Sequence, residues 1–281
     1  MMPTEPGAVF QKPADAYEAR GRLDPAGFAR HVQFAMTPPP ADLRLFVEHF
    51  WTVRWDVAKG TYESAEVMHR PYVDLFVSAE ESGIQGTFRG KRIYLANGSG
   101  RIVGVRFRPG GFKAFWPGRM SDLQDRNAEL SEAFPKLRST FATDLMAMND
   151  AESAAAFADL LRSRAPRFDG DIDLINAIIK AVEGDATLQS VAAVGELFGR
   201  SERWLQQLFS DYVGIGLKWL LQRHRLLAAA AQIREIDAPD WAGIAYGLGY
   251  SSQQHFITDF RKVLGETPLQ YRASLTREPL A

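Results

Sequence analysis

Residues 249 to 272 read GYSSQQHFITDFRKVLGETPLQYR. Phe256, Phe260 and Val263 or Leu264 recur at the spacing that brings side chains to one side of an α-helix. Ser252 precedes them as an N-cap, so the pattern predicts a helix with one buried face. On a wheel of about 100° per residue, Gln254, Thr258, Arg261 and Lys262 point the other way, as hydrogen-bonding groups and two positive charges.

The same pattern occurs upstream in VGELFGRSERWLQQLFSDYVGIGLKW. Adding 51 to Leu205, Phe209 and Gly214 gives Phe256, Phe260 and Gly265, and adding 50 to Val194, Gly195 and Gly199 gives Ile244, Ala245 and Gly249. The second copy therefore holds one extra residue in the turn before its helix. Each copy reads as a short helix, a glycine turn and a second helix capped by Ser201 or Ser252. A small residue, Gly195 or Ala245, sits where the two helices must approach. This is the pattern of a helix-turn-helix, whose second helix enters the major groove of double-stranded DNA while the first braces it. Between the copies, residues 217 to about 235 hold strong helix formers and neither Gly nor Pro, which predicts one continuous helix. At 1.5 Å per residue it would be about 28 Å long, close to the roughly 34 Å between successive major-groove faces.

Before residue 111 the period changes. In FVEHFWTVRWD, Val47, His49, Trp51, Val53 and Trp55 alternate with Phe50, Thr52 and Arg54. YVDLFVS, GTFRGKRIYLA and RIVGVRFRPGG follow, separated by Gly, Ser, Asn and Pro. Short strands with such turns predict a small β barrel or sandwich over about residues 39 to 111. Helical patterns return at 111–116, 137–148 and 152–164, and RAPRFDGD at 164–171 reads as a hinge. The expected fold is α+β in two domains. A flexible N-terminus spans 1–25, a β-rich domain with C-terminal helices 26–165, and an all-α domain with two helix-turn-helix units joined by a long helix 171–275.

SERWLQQLF, RHRLLAAAAQI, IAYGLGYSSQQHF and FRKVLGETPLQYR resemble the signature elements of the AraC/XylS regulators over about residues 171 to 272. The spacing of both units and the Gly-x-x-Pro before the last helix agree with that family. The resemblance implies a sequence-specific DNA-binding transcription regulator whose N-terminal domain, commonly a cupin-type β barrel, senses a small molecule or makes the dimer. It places base reading on Arg203, Trp204, Gln206 and Gln207 in the first unit, and on Gln253, Gln254, Ile257 and Thr258 in the second. Arg can chelate guanine O6 and N7, Gln can chelate adenine N6 and N7, and Ile257 or Thr258 offers a methyl contact to thymine. Phosphate contacts would come from the capped helix starts at Ser201 and Ser252 and from Arg223, Arg261, Lys262 and Arg272. RNA polymerase would be a further partner if the protein activates. RFRPGGFKAFW resembles a motif of a poorly characterised subgroup of these sensor domains.

Charge complicates the picture. The chain carries 33 Lys and Arg against 34 Asp and Glu, and residues 188 to 274 carry nine basic against eight acidic residues. A DNA-binding half near plus one lacks the usual basic footprint, so a single copy should bind weakly at physiological salt and a homodimer is expected. With 281 residues and 46% hydrophobic content the chain can bury two cores. It has no Cys, which removes disulfides, thiolate metal sites and the alkyl-accepting DNA-repair relatives of the family. The N-terminus lacks the apolar core of a secretory signal, and no apolar run approaches the roughly 20 residues needed to span a bilayer, so a cytoplasmic protein is expected.

Catalytic signatures are missing. The five His residues, 31, 49, 69, 224 and 255, form neither a His-x-His pair nor a His-Glu-x-x-His helix, and no nucleophile elbow or phosphate-binding loop occurs. No metal, cofactor or catalytic residue is assigned. For an effector, His69, Arg70, Tyr72, Arg106 and Arg108 are the candidate lining residues. Arg106 and Arg108 fall on one strand face, which suits an anion, whereas paired to carboxylates they would be an ordinary solvated face. Two alternatives stay open: a DNA-binding protein whose β-rich domain only dimerises or binds a protein partner, and a β-barrel enzyme with an attached DNA module.

Overall fold

The computed structural model describes residues 32–58, 63–68, 71–185, 187–236 and 238–275, so the flexible tail expected at 1–25 and the domain start at 26 lie outside the described residues. The strands among them are β1 (Val32–Thr37), β2 (Val47–Asp56), β3 (Glu63–Met68), β4 (Asp74–Ser78), β5 (Ser82–Gln85), β6 (Lys91–Ala96), β7 (Ser99–Phe107) and the short β8 (Asn127–Ala128). Six of them form an antiparallel sheet in the order β1-β2-β7-β4-β5-β8, and β3 pairs with β6 as a second sheet. The larger sheet starts at β1 and ends at β8 without closing, so of barrel and sandwich the fold takes the open sandwich.

Both faces of the large sheet are covered, which is why β2 is buried along most of its length rather than on alternate residues. A register shift between Val47 and His49 sends Val47 to the same side as Phe50. There both meet Leu75, Val105 and Phe107 under the helices that follow. Trp51 and Val53 face the other way, with Val32, Phe76 and Ile102, against Tyr94 and Ala96 of β6. Trp51 and Trp55 lie across Gly104 and Gly100, their register partners on β7. A Cβ at those glycines would stand 2.3 and 2.0 Å from the indole rings, so any larger residue would displace a tryptophan.

The helical cover consists of α1 (Leu130–Ala133), α2 (Phe141–Ala147) and α3 (Asp150–Arg162). Asn149 caps α3, and Asp150 in its first turn accepts hydrogen bonds from Thr52 Oγ1 at 3.1 Å and from the Arg54 and Arg101 guanidiniums at 3.0 Å. That acid stands between two arginines of the sheet, and Arg54 holds its carboxyl below the usual carboxylate range.

The rest is helical: α4 (Gly170–Gly184), α5 (Val191–Phe198), α6 (Glu202–Tyr212), α7 (Leu217–Glu235), α8 (Trp241–Gly247), α9 (Gln253–Leu264) and α10 (Pro268–Leu275). Helix α7 serves two cores. Leu217, Leu220 and Leu221 of its first half pack with α4, α5 and α6. Leu226, Ala229, Ala230 and Ile233 of its second half pack with α8, α9 and Tyr271 of α10.

The RFRPGGFKAFW stretch joins the two halves. Phe107, Phe112 and Phe115 form a ring cluster, with centroids 4.8 Å apart for Phe107 and Phe112 and 5.4 Å for Phe107 and Phe115. This cluster fixes the tight turn at Pro109 and Gly110. Asn176 of α4 donates from Nδ2 to the Pro109 carbonyl at 3.0 Å, and Thr87 Oγ1 reaches the Val213 carbonyl at 3.5 Å. Gly214 has a φ of 82°, and a Cβ there would stand 2.5 Å from the Met120 carbonyl oxygen. The end of α6 is thus seated directly on the β-rich half.

Candidate nucleic-acid interface

Both repeats fold as the sequence arithmetic requires. Helix α5 ends at Gly199 and the turn after α8 passes through Gly249, with φ of 62° and 76°. Ser201 Oγ accepts from the Trp204 amide, and Ser252 Oγ from the His255 amide, both at 3.2 Å. Each cap satisfies one of the open N–H groups of its helix, and its hydroxyl keeps a donor that a phosphate could accept. A Cβ at Gly195 would lie 2.6 Å from the Arg200 carbonyl, so the small residue is what lets α5 and its turn approach.

The buried stripe of α6 is Leu205, Leu208 and Phe209, and that of α9 is Phe256, Phe260, Val263 and Leu264. Opposite them Arg203, Gln206, Gln207, Gln253, Gln254 and Thr258 are exposed. Gln207 Nε2 is bonded to Asp211 at 2.8 Å, and Thr258 Oγ1 donates to the Gln254 carbonyl at 2.9 Å. Ile257 is half-buried against the second core, so only part of it faces outward. Trp204 is 36% exposed, with the Arg200 guanidinium 5.0 Å from its ring centre. Arg200, exposed next to the N-cap, adds a cation to this face, and its signal in the sequence is a positive charge one turn from an exposed aromatic.

Arg261 and Lys262 are exposed in the last turn of α9. Arg223 requires a correction. It points into the first core at 4% exposure, and its charge acts on Glu183 of α4, whose carboxyl burial pushes up to about 7. It cannot reach a phosphate from there. Arg272 donates to the Ile233 carbonyl at 2.9 Å, which assigns it first to tying α10 to the end of α7.

The effector candidates are scattered. His69 and Arg70 lie outside the described residues. Arg106 also requires a correction: at 3% exposure it faces inward between the sheets and makes a two-pronged ion pair with Asp74, at 3.0 and 2.8 Å. The Tyr72 ring lies 3.9 Å from its guanidinium. The cross-strand carboxylate weighed in the solvated alternative is present, but buried. Arg108 leaves that strand face at the end of β7 and donates to the Arg44 carbonyl at 3.3 Å near the surface. Among the described residues no cluster of three potential metal-ligating side chains occurs, and no helix is long and apolar enough to cross a membrane.

Two capped helices with polar outer faces, held at the two ends of one shared helix, define a double helix-turn-helix DNA-binding protein. Residues 194–274 match the family described as a helix-turn-helix domain, and residues 35–129 match one described as a domain of unknown function, DUF6597. SoxS of Salmonella typhimurium, a regulatory protein, is 35% identical over 86 residues, covering 31% of this chain and 79% of that protein. The F1 operon positive regulatory protein of Yersinia pestis is 33% identical over 100 residues, 35% of this chain; the match spans only 33% of that relative's length. Among solved structures, the C-terminal domain of AraT, a response regulator from Geobacillus stearothermophilus, is 24% identical, with 38% of this chain and 89% of that one covered and a TM-score of 0.33. The chain belongs to the AraC/XylS family of transcription regulators.

Proposed function

We propose that the protein is a sequence-specific DNA-binding transcription regulator, not an enzyme, which acts in the cytoplasm as a homodimer. The observation that carries this is the paired exposed faces of α6 and α9 at the two ends of α7. Base reading falls to Arg203, Gln206 and Gln207 with Trp204 on one helix, and to Gln253, Gln254 and Thr258 with the outer part of Ile257 on the other. Arg261, Lys262 and the starts of both helices at Ser201 and Ser252 hold phosphates. The near-neutral charge of residues 188–274 supports the dimer, since two weakly attracted modules gain affinity when the second engagement is intramolecular. The β-rich half is the part that responds to a small-molecule effector and pairs the chains; RNA polymerase is contacted if the protein activates.

Replacing Arg203 or Gln254 by Ala should cost about 1 to 3 kcal/mol at one operator position and relax specificity there. Arg261→Ala should instead weaken binding to all sequences and lower the salt slope. Gel shifts on a base-substituted operator series, with DNA first selected from a random pool, read both effects. Unchanged discrimination in the first two variants would remove those side chains from base reading.

A further inference from the structure

Between the two halves lies an open crevice of about 530 Å³, within the range of roughly 300–1,000 Å³ usual for small-molecule sites. The β-rich half contributes Arg44, Tyr72 and Arg108; α4 of the DNA-binding half contributes Ile179, Lys180 and Glu183. We propose that this crevice binds a small organic anion, a carboxylate or phosphate with a compact apolar body, and that the bound molecule bridges the two halves. This deepens the regulator reading above and rests on it for its consequence.

Charge decides the ligand class. Among the described residues, Arg44, Arg108 and Lys180 form no ion pair; the bonds of the two arginines go to the neutral carbonyls of Pro39 and Arg44. This differs from Arg106, whose charge is already matched by Asp74 in the interior. Two carboxylates, Glu48 and Glu183, also line the crevice, but burial pushes Glu183 up to about 7, so near neutrality it carries only part of its charge. The balance is positive. Tyr72 and Ile179 are in the same lining and supply apolar surface beside these cations. Glu183 lies within electrostatic reach of Arg223 on α7, so a charge bound in the crevice would act on the helix that spaces the two reading helices.

The fluorescent anion 8-anilinonaphthalene-1-sulfonate combines a negative head with an apolar body, and serves as the probe on the full chain. It should bind at one saturable site. Arg44→Glu and Lys180→Glu, exposed residues on opposite walls, should each weaken it about tenfold, because a charge-assisted contact becomes repulsive. Neither substitution should change the melting temperature, binding of the neutral dye Nile red, or affinity for selected DNA. Unchanged dye affinity in both variants would overturn the site. Loss in the Arg44 variant alone would overturn the bridge. Failure of the unaltered protein to bind any DNA would contradict the regulator reading instead, and leaves the dye result to stand by itself.

Discussion

Inserting two glycines between His224 and Arg225 should abolish tight operator binding while both helix-turn-helix units remain folded. The site falls in the gap between the two cores that share α7: Leu217, Leu220 and Leu221 stay with the first, and Leu226, Ala229, Ala230 and Ile233 with the second. Arg225 keeps its bond to the Leu248 carbonyl because both move with the second unit. The insertion turns one unit about 200° relative to the other, lengthens the helix by about 3 Å, and costs about 1 kcal/mol for each glycine in helix propensity. The units then no longer face one side of the DNA. Losing the second, linked engagement should reduce affinity about 100-fold or more. Gel shifts at fixed salt, beside circular dichroism of the same variant, separate a loss of geometry from a loss of fold. Full affinity in a folded variant would show that α7 does not set the spacing.

Replacing Asp74 by Ala should destabilise the β-rich half by about 3–5 kcal/mol, the usual cost of leaving one partner of a buried ion pair uncompensated. The Arg106 guanidinium stays in the interior when Asp74 is removed: it is 3% exposed, on a strand flanked by β2 and β4 and beneath the Tyr72 ring. Adding Arg106→Met to the same chain should recover most of the loss, because the apolar replacement removes the buried charge that Asp74 had matched. Urea unfolding followed by tryptophan fluorescence measures both. A loss under about 1 kcal/mol for the single variant would mean that water or a rearranged partner reaches Arg106.

The DNA-binding half was legible in the sequence because its constraints are local and repeated. A 3.6-residue apolar period, serine N-caps and glycines at matched offsets each have one geometric meaning, and their duplication made the spacing readable. The linker expected over residues 217 to about 235 forms as Leu217–Glu235. The β-rich half gave up β2 and β7 but not β1, β3 or β5. The strands it hid are short or mixed in polarity, and their faces are set by what covers the sheet, which is a tertiary fact. The bulge at Val47 and His49 shows the limit well, since strict alternation places Val47 with Trp51 whereas the shift places it with Phe50.

Charge was the least legible property. Arg106, Arg223 and Arg261 look alike in the chain, yet one lies inside the sandwich, one in the first core and one at the surface. Their surroundings are set by groups far away in sequence, the Asp74 carboxylate bonded to the first and the Glu183 carboxyl within electrostatic reach of the second. The RFRPGGFKAFW motif was visible as a motif and silent about its use. Only with α4 and the end of α6 resting on it does it become the seat for the DNA-binding half.

Dimethyl sulfate protection tests most directly whether one chain reads two adjacent major grooves, because it reports guanine N7 at single-base resolution. On DNA selected by the 281-residue chain, each chain should protect two major-groove windows centred about 10 to 10.5 base pairs apart. Arg203→Ala should expose guanines in one window only, and Gln254→Ala should disturb the other. A single window per chain, or both substitutions erasing the same window, would contradict the two-helix mode of binding.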